Sequence, residues 1–169
     1  MAGPDWKPSV TVAAVVRRDD GRFLLVEEQT REGLRLNQPA GHLEPGESLV
    51  EAVVRECLEE TACRFTPTAL LGVYQARIAR AAQGTQPAED VVYLRFAFVG
   101  TVGVPEPGRG LDEGIVRVLW LTPDEIRASA DRHRSPLVLA CLADHLAGRR
   151  LPLDALHVDA SLHRPWVPG

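Results

Sequence analysis

The segment from Gly41 to Cys63, GHLEPGESLVEAVVRECLEETAC, places six carboxylates beside a single basic residue, Arg55. The six acids are Glu44, Glu47, Glu51, Glu56, Glu59 and Glu60. The segment therefore carries a net charge of −5, although the whole chain of 169 residues carries only −4. Acidity is concentrated in this one segment, and the rest of the chain is close to neutral.

The residue types of this segment predict a turn followed by a helix. Pro45-Gly46 supplies the fixed φ and the positive φ that a tight turn needs. Ser48 followed by Glu51 forms a capping box, which predicts a helix from about Leu49 to Ala62. Apolar residues at helical spacing fill one half of this helix, as expected for a helix that packs on a core.

Three of the acids, Glu56, Glu59 and Glu60, fall together at the margin of the apolar half, with Arg55 just beyond them. Carboxylates three and four positions apart on a helix repel each other, so a positive charge is expected among them. One interpretation is a solvated acidic face. The alternative is a metal site, because oxygen ligands without Cys or His favour Mg²⁺ or Mn²⁺, and Mg²⁺ commonly binds together with phosphate substrates.

The positions Gly41, Glu47, Arg55-Glu56 and Glu59-Glu60 resemble the Nudix box, the signature of hydrolases that cleave diphosphates linked to another group X. So many fixed positions in one short segment make a chance match improbable. The chain departs from the pattern at Ala62, where the family usually has glycine. Alanine can still close the helix but resists the left-handed conformation, so the pattern leaves the geometry of the helix exit open.

The resemblance implies roles for particular residues. Glu56 and Glu60 are the expected direct ligands of Mg²⁺ or Mn²⁺, with Glu59 as a further ligand or as the base that orients water. The backbone carbonyl of Ala40 is implied as a metal ligand. Arg55 is expected to hold Glu47 and the loop in place, with Gly41 as the third structural residue of the box.

A further carboxylate is implied from the loop GVPEPGRGLDEG, with Glu113 as first choice and Asp112 as second. Ordinary loop solubility is the alternative for both. The general base stays open between Glu59, Glu60 and Glu113.

Candidate substrate-binding residues lie on both sides of the box. Asn37 and Gln38 precede it in the run NQPAGHLE. In the apolar run VVYLRFAF, strand alternation places Arg95 on one face with Tyr93 and Ala97. A cation on such a strand is either a surface or ion-paired arginine, or a contact for a phosphate group.

The order of predicted elements is a hairpin, the box helix, further strands and two late helices. This order predicts an α/β/α sandwich with a mixed sheet, which agrees with the Nudix fold. The predicted hairpin joins the strand 10–17 to RFLLVEEQ through Asp20-Gly21, and residues 29–36 are expected to form a loop. Later strands are predicted at 70–78, 91–99 and 115–121, and late helices begin near Thr122 and Ser135.

The chain is expected to be a single domain over residues 1–169, with a core from about 8 to 160 and a loosely held tail from about His163. The N-terminal run MAGPDWKP has no signal-peptide core, and no apolar run is long enough to span a membrane. Three cysteines in no metal-ligand spacing indicate reduced thiols and a cytoplasmic protein. The absence of a basic run argues against nucleic-acid binding, which leaves a small phosphorylated metabolite as the expected partner. Monomer and homodimer both remain open.

Several segments outside the box resemble one bacterial branch of the family, the NudJ-type phosphatases. The resemblance implies Mg²⁺-dependent action on nucleoside di- and triphosphates and on diphosphates of the thiamine pathway, including a pyrimidine diphosphate. Leu36 stands where that branch commonly has tryptophan, so stacking on a base is not expected there. Two alternatives remain: a Nudix-fold sensor that binds a nucleotide without cleaving it, and a diphosphate isomerase that uses a cysteine and a glutamate.

Overall fold

Two β-sheets form the middle layer of the protein, whose computed structural model describes residues 6–165. The elements of this part of the chain are β1 (Ser9–Val16), β2 (Phe23–Thr30), β3 (Gly33–Asn37), β4 (Ala40–His42), α1 (Leu49–Thr61), β5 (Phe65–Arg80), β6 (Glu89–Val102), β7 (Ile115–Leu121), α2 (Pro123–Ala128) and α3 (Leu137–Leu146). One sheet has the strand order β4-β1-β6-β5 and the other has β3-β2-β7. In the first sheet β1 runs parallel to β6, while the pairs β1–β4 and β5–β6 are antiparallel.

Helices cover both faces of this layer. On one face, Val12 and Ala14 of β1 pack with Val53 and Cys57 of α1. On the other face, Ala13 and Val15 belong to a cluster that includes Val138 and Cys141 of α3. A strand buried on both faces needs the near-continuous apolar run that β1 has. The α/β/α sandwich with a mixed sheet predicted from the sequence is confirmed.

The predicted hairpin between the first two strands is wrong. A turn does form at Asp20-Gly21, where the Arg18 amide donates to the Arg22 carbonyl over 2.9 Å. However, β1 and β2 do not pair, and the one bridge beside the turn joins Arg17, the residue after β1, to Phe23. Both edges of β1 are already paired, with β4 and with β6, so β2 enters the second sheet instead.

The loop expected at residues 29–36 is instead a β-hairpin, formed by β2 and β3. The Thr30 hydroxyl accepts from the Glu32 amide and donates to the Gly33 carbonyl, and Gly33 has a φ of 92°. The turn residues Arg31-Glu32 lack the Asn-Gly or Asp-Gly signature of a two-residue hairpin turn. The sequence pattern therefore gave no signal for this hairpin.

The remaining predicted elements are present, with longer strands than expected. β5 and β6 extend the predicted segments at both ends and pair along their length. Thr122 caps α2 through a capping box with Glu125. The last helix begins one residue after Pro136 and ends shortly before Gly148.

The predicted box helix is confirmed, and its exit has the left-handed geometry despite the alanine. Ala62 follows α1 with a φ of 59°, and it is the only residue other than glycine with a positive φ between residues 6 and 165. Its amide donates to the Leu58 carbonyl over 2.9 Å, and its carbonyl accepts from the Glu106 amide over 2.8 Å. These contacts hold an alanine in a conformation that costs about 1–2 kcal/mol.

Replacing Ala62 with glycine is expected to stabilise the protein. Glycine relieves the left-handed strain, but it also has greater chain entropy in the unfolded state. The net effect is a free energy of unfolding higher by about 0.5–1 kcal/mol. Urea denaturation measures it. As a control, Ala143→Gly on the exposed side of α3 should lower the free energy of unfolding by about 1 kcal/mol, because glycine is a poor helix former. An Ala62→Gly protein less stable than the wild type would contradict the assignment of strain.

The ends of the chain bear on two expectations. The first five residues of MAGPDWKP and residues 166–169 of the expected tail lie outside the described residues. His163, where that tail was expected to begin, lies with its Nδ1 atom 3.2 Å from the carbonyl oxygen of Gly46. Within residues 6–165, none of the helices combines the length and apolar character needed to cross a bilayer.

Candidate active site

A cleft of about 360 Å³ opens where β4, α1 and β6 meet. Its lining brings together six of the residues that the sequence predicted for the site: Asn37, Ala40, Gly41, Glu56, Glu60 and Arg95. Arg55, Glu47, Glu59, Gln38 and Glu113 are not part of this lining. Arg55 and Glu59 belong to α1, and Glu47 lies in the turn before it. Gln38 accepts a hydrogen bond from Arg95.

Glu56 and Glu60 lie on the buried face of α1 and not at its margin, where the helical pattern placed them. The two residues are only 8% and 9% exposed. Ala52, Glu56 and Glu60 follow one another at intervals of four residues, so they lie on one face of α1. All three are buried, and this face packs toward the sheet. The Glu59 side chain stays 33% exposed. The cleft therefore contains two buried carboxylates from a single helix.

Gly41 makes the close approach between β4 and α1 possible. A Cβ atom at this position would lie 2.1 Å from the Cδ and Oε1 atoms of Glu56. A side chain at this position would push the Glu56 carboxylate away from β4, so glycine is what allows that carboxylate to lie against the strand.

Burial changes the acid–base properties of the two carboxylates. Desolvation raises the pKa of Glu60 to about 8, with the Glu56 charge adding to the effect and the Ala40 N–H opposing it from 2.8 Å. Desolvation also raises the pKa of Glu56, against the effect of Arg55. The two buried carboxylates repel each other, and a divalent cation bound between them would reduce this repulsion.

Arg55 is the positive charge expected among the acids. It binds Glu47 through two hydrogen bonds, from Nε over 2.9 Å and from Nη2 over 2.7 Å. The same guanidinium donates to Glu56 over 2.9 Å, to Glu59 over 3.1 Å and to the His42 carbonyl over 3.0 Å. Arg55 lowers the pKa of Glu47 and thereby keeps that carboxylate charged. One side chain thus joins the loop, β4 and α1.

Arg55→Lys is expected to destabilise the protein by about 1–3 kcal/mol. Lysine keeps the charge but cannot reproduce the bidentate contact with Glu47 while reaching Glu56 and His42. Urea denaturation at neutral pH measures the loss. Arg127→Lys is the matched control, because its ion pair with Asp124 lies on the surface and such pairs contribute little. Equal stability of the two variants would contradict the central role of Arg55.

Arg95 lies at the floor of the cleft and is only 6% exposed, which excludes the surface interpretation. Its Nη1 and Nη2 atoms donate to the side-chain oxygens of Gln38 and Asn37, both over 3.3 Å. None of the ion pairs within residues 6–165 includes Arg95. Burial lowers its pKa. Tyr93 lines the cleft on the same face of β6, as the strand alternation predicted.

Asp112 and Glu113 are both exposed residues of the loop before β7. The Asp112 amide donates to the Glu59 carbonyl over 3.0 Å, which fixes the loop to the end of α1. The Asp112 charge contributes to the raised pKa values of Glu56 and Glu60. Neither Asp112 nor Glu113 lines the cleft, but the charge of Asp112 acts on Glu56 and Glu60.

Within the described part of the chain, no three His, Cys, Asp or Glu side chains converge as a ready-made set of metal ligands. Glu56 is turned toward Arg55, and Glu60 accepts from the Ala40 amide. Both carboxylates are thus engaged by protein donors. A cation bound between them would share their oxygens with these donors or displace them.

Sequence reasoning missed other polar residues of the cleft, which are Thr11, Glu28, Arg80, Arg134 and Ser135. Thr11 and Glu28 interrupt the apolar strands SVTVAAVV and FLLVEEQT, and this interruption was the only available signal. Leu36 is fully buried in the core, and Tyr93 and His42 supply the aromatic surfaces of the cleft. Their ring centroids are 6.4 Å apart.

The sandwich fold and the two buried glutamates in one cleft agree with the class of hydrolase that the box resembles. The family model described as NUDIX domain matches residues 7–141. The chain belongs to the Nudix family and is a Nudix hydrolase. Nudix hydrolases generally use a divalent metal ion and act on small phosphorylated substrates.

Known relatives confirm the branch that the sequence resembles. Phosphatase NudJ of Escherichia coli strain K12 is 37% identical over 151 residues, which cover 89% of this chain and 92% of that protein. A NUDIX hydrolase from Nitrosomonas europaea superposes with a TM-score of 0.80 at 50% identity, covering 90% of this chain and 98% of that one. A MutT protein from Methanosarcina mazei Go1, at 22% identity and a TM-score of 0.58 over 85% and 98% of the two chains, shares the fold.

Proposed function

We propose that this hydrolase cleaves a phosphoanhydride bond in nucleoside di- or triphosphates or in small organic diphosphates, with Mg²⁺ as cofactor and Mn²⁺ as a substitute. The observation that carries the proposal is the pair of buried carboxylates, Glu56 and Glu60, in one cleft. The similarity to phosphatase NudJ supports this substrate class. A pyrimidine diphosphate of the thiamine pathway is a specific candidate that follows from the resemblance.

The residues present fit a divalent cation. Glu56 and Glu60 would hold it, together with the Ala40 carbonyl and Glu59, because hard oxygen donors suit Mg²⁺ and two mutually destabilised acids gain from its charge. When bound, Mg²⁺ neutralises phosphate oxygens and lowers the pKa of a coordinated water. Either Asp112 or Glu113 would add a further carboxylate, and the contact of Asp112 with α1 favours Asp112.

Other residues of the box act around the acids. Glu59 is the most exposed of the three helix acids, so we assign it to orient the attacking water. Glu60 remains the alternative base, because its carboxylate lies in the same cleft as Glu56. Arg55 positions Glu47, Glu56 and Glu59 and does not touch substrate, since Nε, Nη1 and Nη2 are all bound to protein oxygens.

Arg95, at the floor of the cleft, is assigned to substrate binding. Asn37 and Gln38 accept from its guanidinium and hold it in place. The three cysteines are free and buried, which supports the reducing cytoplasm as the location. A cysteine-dependent isomerase would need a thiol in the cleft, and no cysteine of the chain lines it.

A substrate panel tests this function. Nucleoside di- and triphosphates and simple alkyl diphosphates are incubated with Mg²⁺, and orthophosphate and pyrophosphate are measured separately. We expect metal-dependent release of one of the two, abolished by EDTA. Binding of a nucleotide without either product would favour a sensor, and an isomer without released phosphate would favour an isomerase.

A further inference from the structure

Residues 151–163, here called the strap, run beside α1 and do not line the cleft. Two backbone hydrogen bonds between Leu151 and Leu70, over 2.9 and 2.8 Å, fix the beginning of the strap to β5. Leu153 and Leu156 then pack against the apolar cluster between β1 and α1. The first half of the strap is therefore attached to the core of the protein.

The far end of the strap reaches the turn of the box. The Asp159 side chain accepts from the Ser161 amide over 2.9 Å and caps the last helical turn of the strap. His163 ends that turn, and its Nδ1 atom lies 3.2 Å from the carbonyl oxygen of Gly46. Because a carbonyl oxygen can only accept, this ring nitrogen carries the proton and donates the hydrogen bond.

The box turn, residues 44–47, receives no other hydrogen bond of this kind. Pro45 and Gly46 are exposed, and a groove of about 440 Å³ is lined by the end of the turn together with the strap. Within residues 6–165, the bond from His163 is the only hydrogen bond that joins the turn to a segment outside the box. The strap thus supplies the hydrogen-bonded support that the turn receives from the rest of the fold.

The position of this turn affects the acids of the cleft through two side chains. Glu47 follows Gly46 directly, and Arg55 binds its carboxylate through two hydrogen bonds. The same guanidinium donates to Glu56 over 2.9 Å and to Glu59 over 3.1 Å. A small misplacement far from the reacting atoms is enough to lower the rate of an enzyme. A turn that shifts would therefore disturb the carboxylates of α1.

We propose that His163 is a positioning residue, whose hydrogen bond to Gly46 fixes the box turn and, through Arg55, the acids of α1. His163 itself does not line the cleft and acts only through these residues. The strap lies beyond residues 7–141, which the family model matches, so this role is a feature outside the matched part of the chain. The inference rests on the proposed function, because it takes Glu56 as a metal ligand.

A charge effect of His163 is the alternative. The backbone amide of Ser48 is the main cause that lowers the pKa of Glu51, and His163 makes a smaller contribution in the same direction. Asparagine separates the two effects, because its Nδ2 atom is as far from the backbone as Nδ1 of histidine and donates without a charge. A hydrogen-bonded role therefore predicts rescue by asparagine, and a charge effect does not.

Three variants test the proposal. His163→Ala removes the donor, His163→Asn keeps a donor, and His157→Ala removes another exposed histidine of the strap as the matched control. Hydrogen exchange of the Glu44 amide, which donates to Glu47, is measured by NMR in the metal-free protein. Mn²⁺ binding is measured by calorimetry, and kcat/KM is measured for ATP with Mg²⁺.

We expect His163→Ala to raise the exchange rate of the Glu44 amide and the Kd for Mn²⁺ and to lower kcat/KM. Each change should be about threefold to tenfold, which is the range for a single hydrogen bond. His163→Asn should restore all three quantities to within about twofold of the wild type, and His157→Ala should leave them unchanged. The Tm of each variant should change little, because both histidines are exposed.

The other outcomes are distinct. Unchanged Glu44 exchange and Mn²⁺ binding in His163→Ala overturn the proposal. Equal losses in His163→Ala and His163→Asn assign the effect to charge, and equal losses in His157→Ala assign it to the strap as a whole, so either result overturns the role of this hydrogen bond. If the wild type cleaves no phosphoanhydride bond but the expected pattern of Glu44 exchange holds, the positioning role is supported and the proposed hydrolase function fails.

Discussion

Glu60→Gln is expected to lower kcat at least a hundredfold while making the metal-free protein more stable at pH 8. Activity falls because the amide removes a proposed metal ligand and a candidate base. Stability rises because the folded state no longer has to bury a carboxylate whose pKa burial raises to about 8. An inactive variant that is more stable than the wild type separates a loss of chemistry from a loss of fold.

The pH dependence of unfolding supplies an independent measurement on the same pair of proteins. The ordinary pKa of a glutamate is 4.5, and that of folded Glu60 is about 8, so the folded state binds the extra proton. The Glu60 contribution to stability is therefore complete below about pH 4.5 and is lost as the pH rises through about 8. We expect the Tm of the wild type in EDTA to fall over this window and that of Glu60→Gln to fall less.

The control for both measurements is Glu106→Gln. Glu106 forms ion pairs with Arg64 and Arg109 and does not line the cleft. Its replacement should change neither kcat nor the pH dependence of Tm appreciably. A Glu60→Gln enzyme with a near wild-type rate would show that the ligand assignment is wrong, whatever its stability.

Local signals in the sequence were sufficient for the box itself. The capping box at Ser48 and Glu51 and the turn at Pro45-Gly46 act within a few residues, so they predict α1 without knowledge of the rest of the fold. The long apolar strands and the capped start of α2 at Thr122 are likewise local. These elements, with the Nudix resemblance, were enough for the sandwich architecture.

Contacts between distant segments were the part that residue patterns could not supply. The choice of sheet for β2 depends on β4 and β6 occupying both edges of β1. The burial of Glu56 and Glu60 depends on where the sheet lies against α1, and helical spacing alone cannot define this. Thr11 and Glu28 joined the cleft only because strands far apart in the chain bring them together.

Gly41→Ala is expected to reduce both stability and activity strongly. The new Cβ would lie 2.1 Å from the Glu56 carboxylate, so that carboxylate must shift, and the shift disturbs its 2.9 Å contact with Arg55. Overpacking of this kind costs about 1–3 kcal/mol. Because Glu56 is a proposed metal ligand, kcat/KM should fall by at least a factor of ten. Urea denaturation and steady-state kinetics measure the two effects.

A double-mutant cycle assigns these losses to the contact between Gly41 and Glu56. Glu56→Ala removes the carboxylate with which the new methyl group clashes, so the double variant should be destabilised less than the sum of the single variants predicts. Activity should stay absent in the double variant. Gly110→Ala is the matched control, because a Cβ there meets no atom within 4 Å and the residue has no positive φ. Additive losses of stability in the cycle would show that Gly41 does not act through Glu56. The close approach of β4 to α1 would then not be the reason why this position of the box requires glycine.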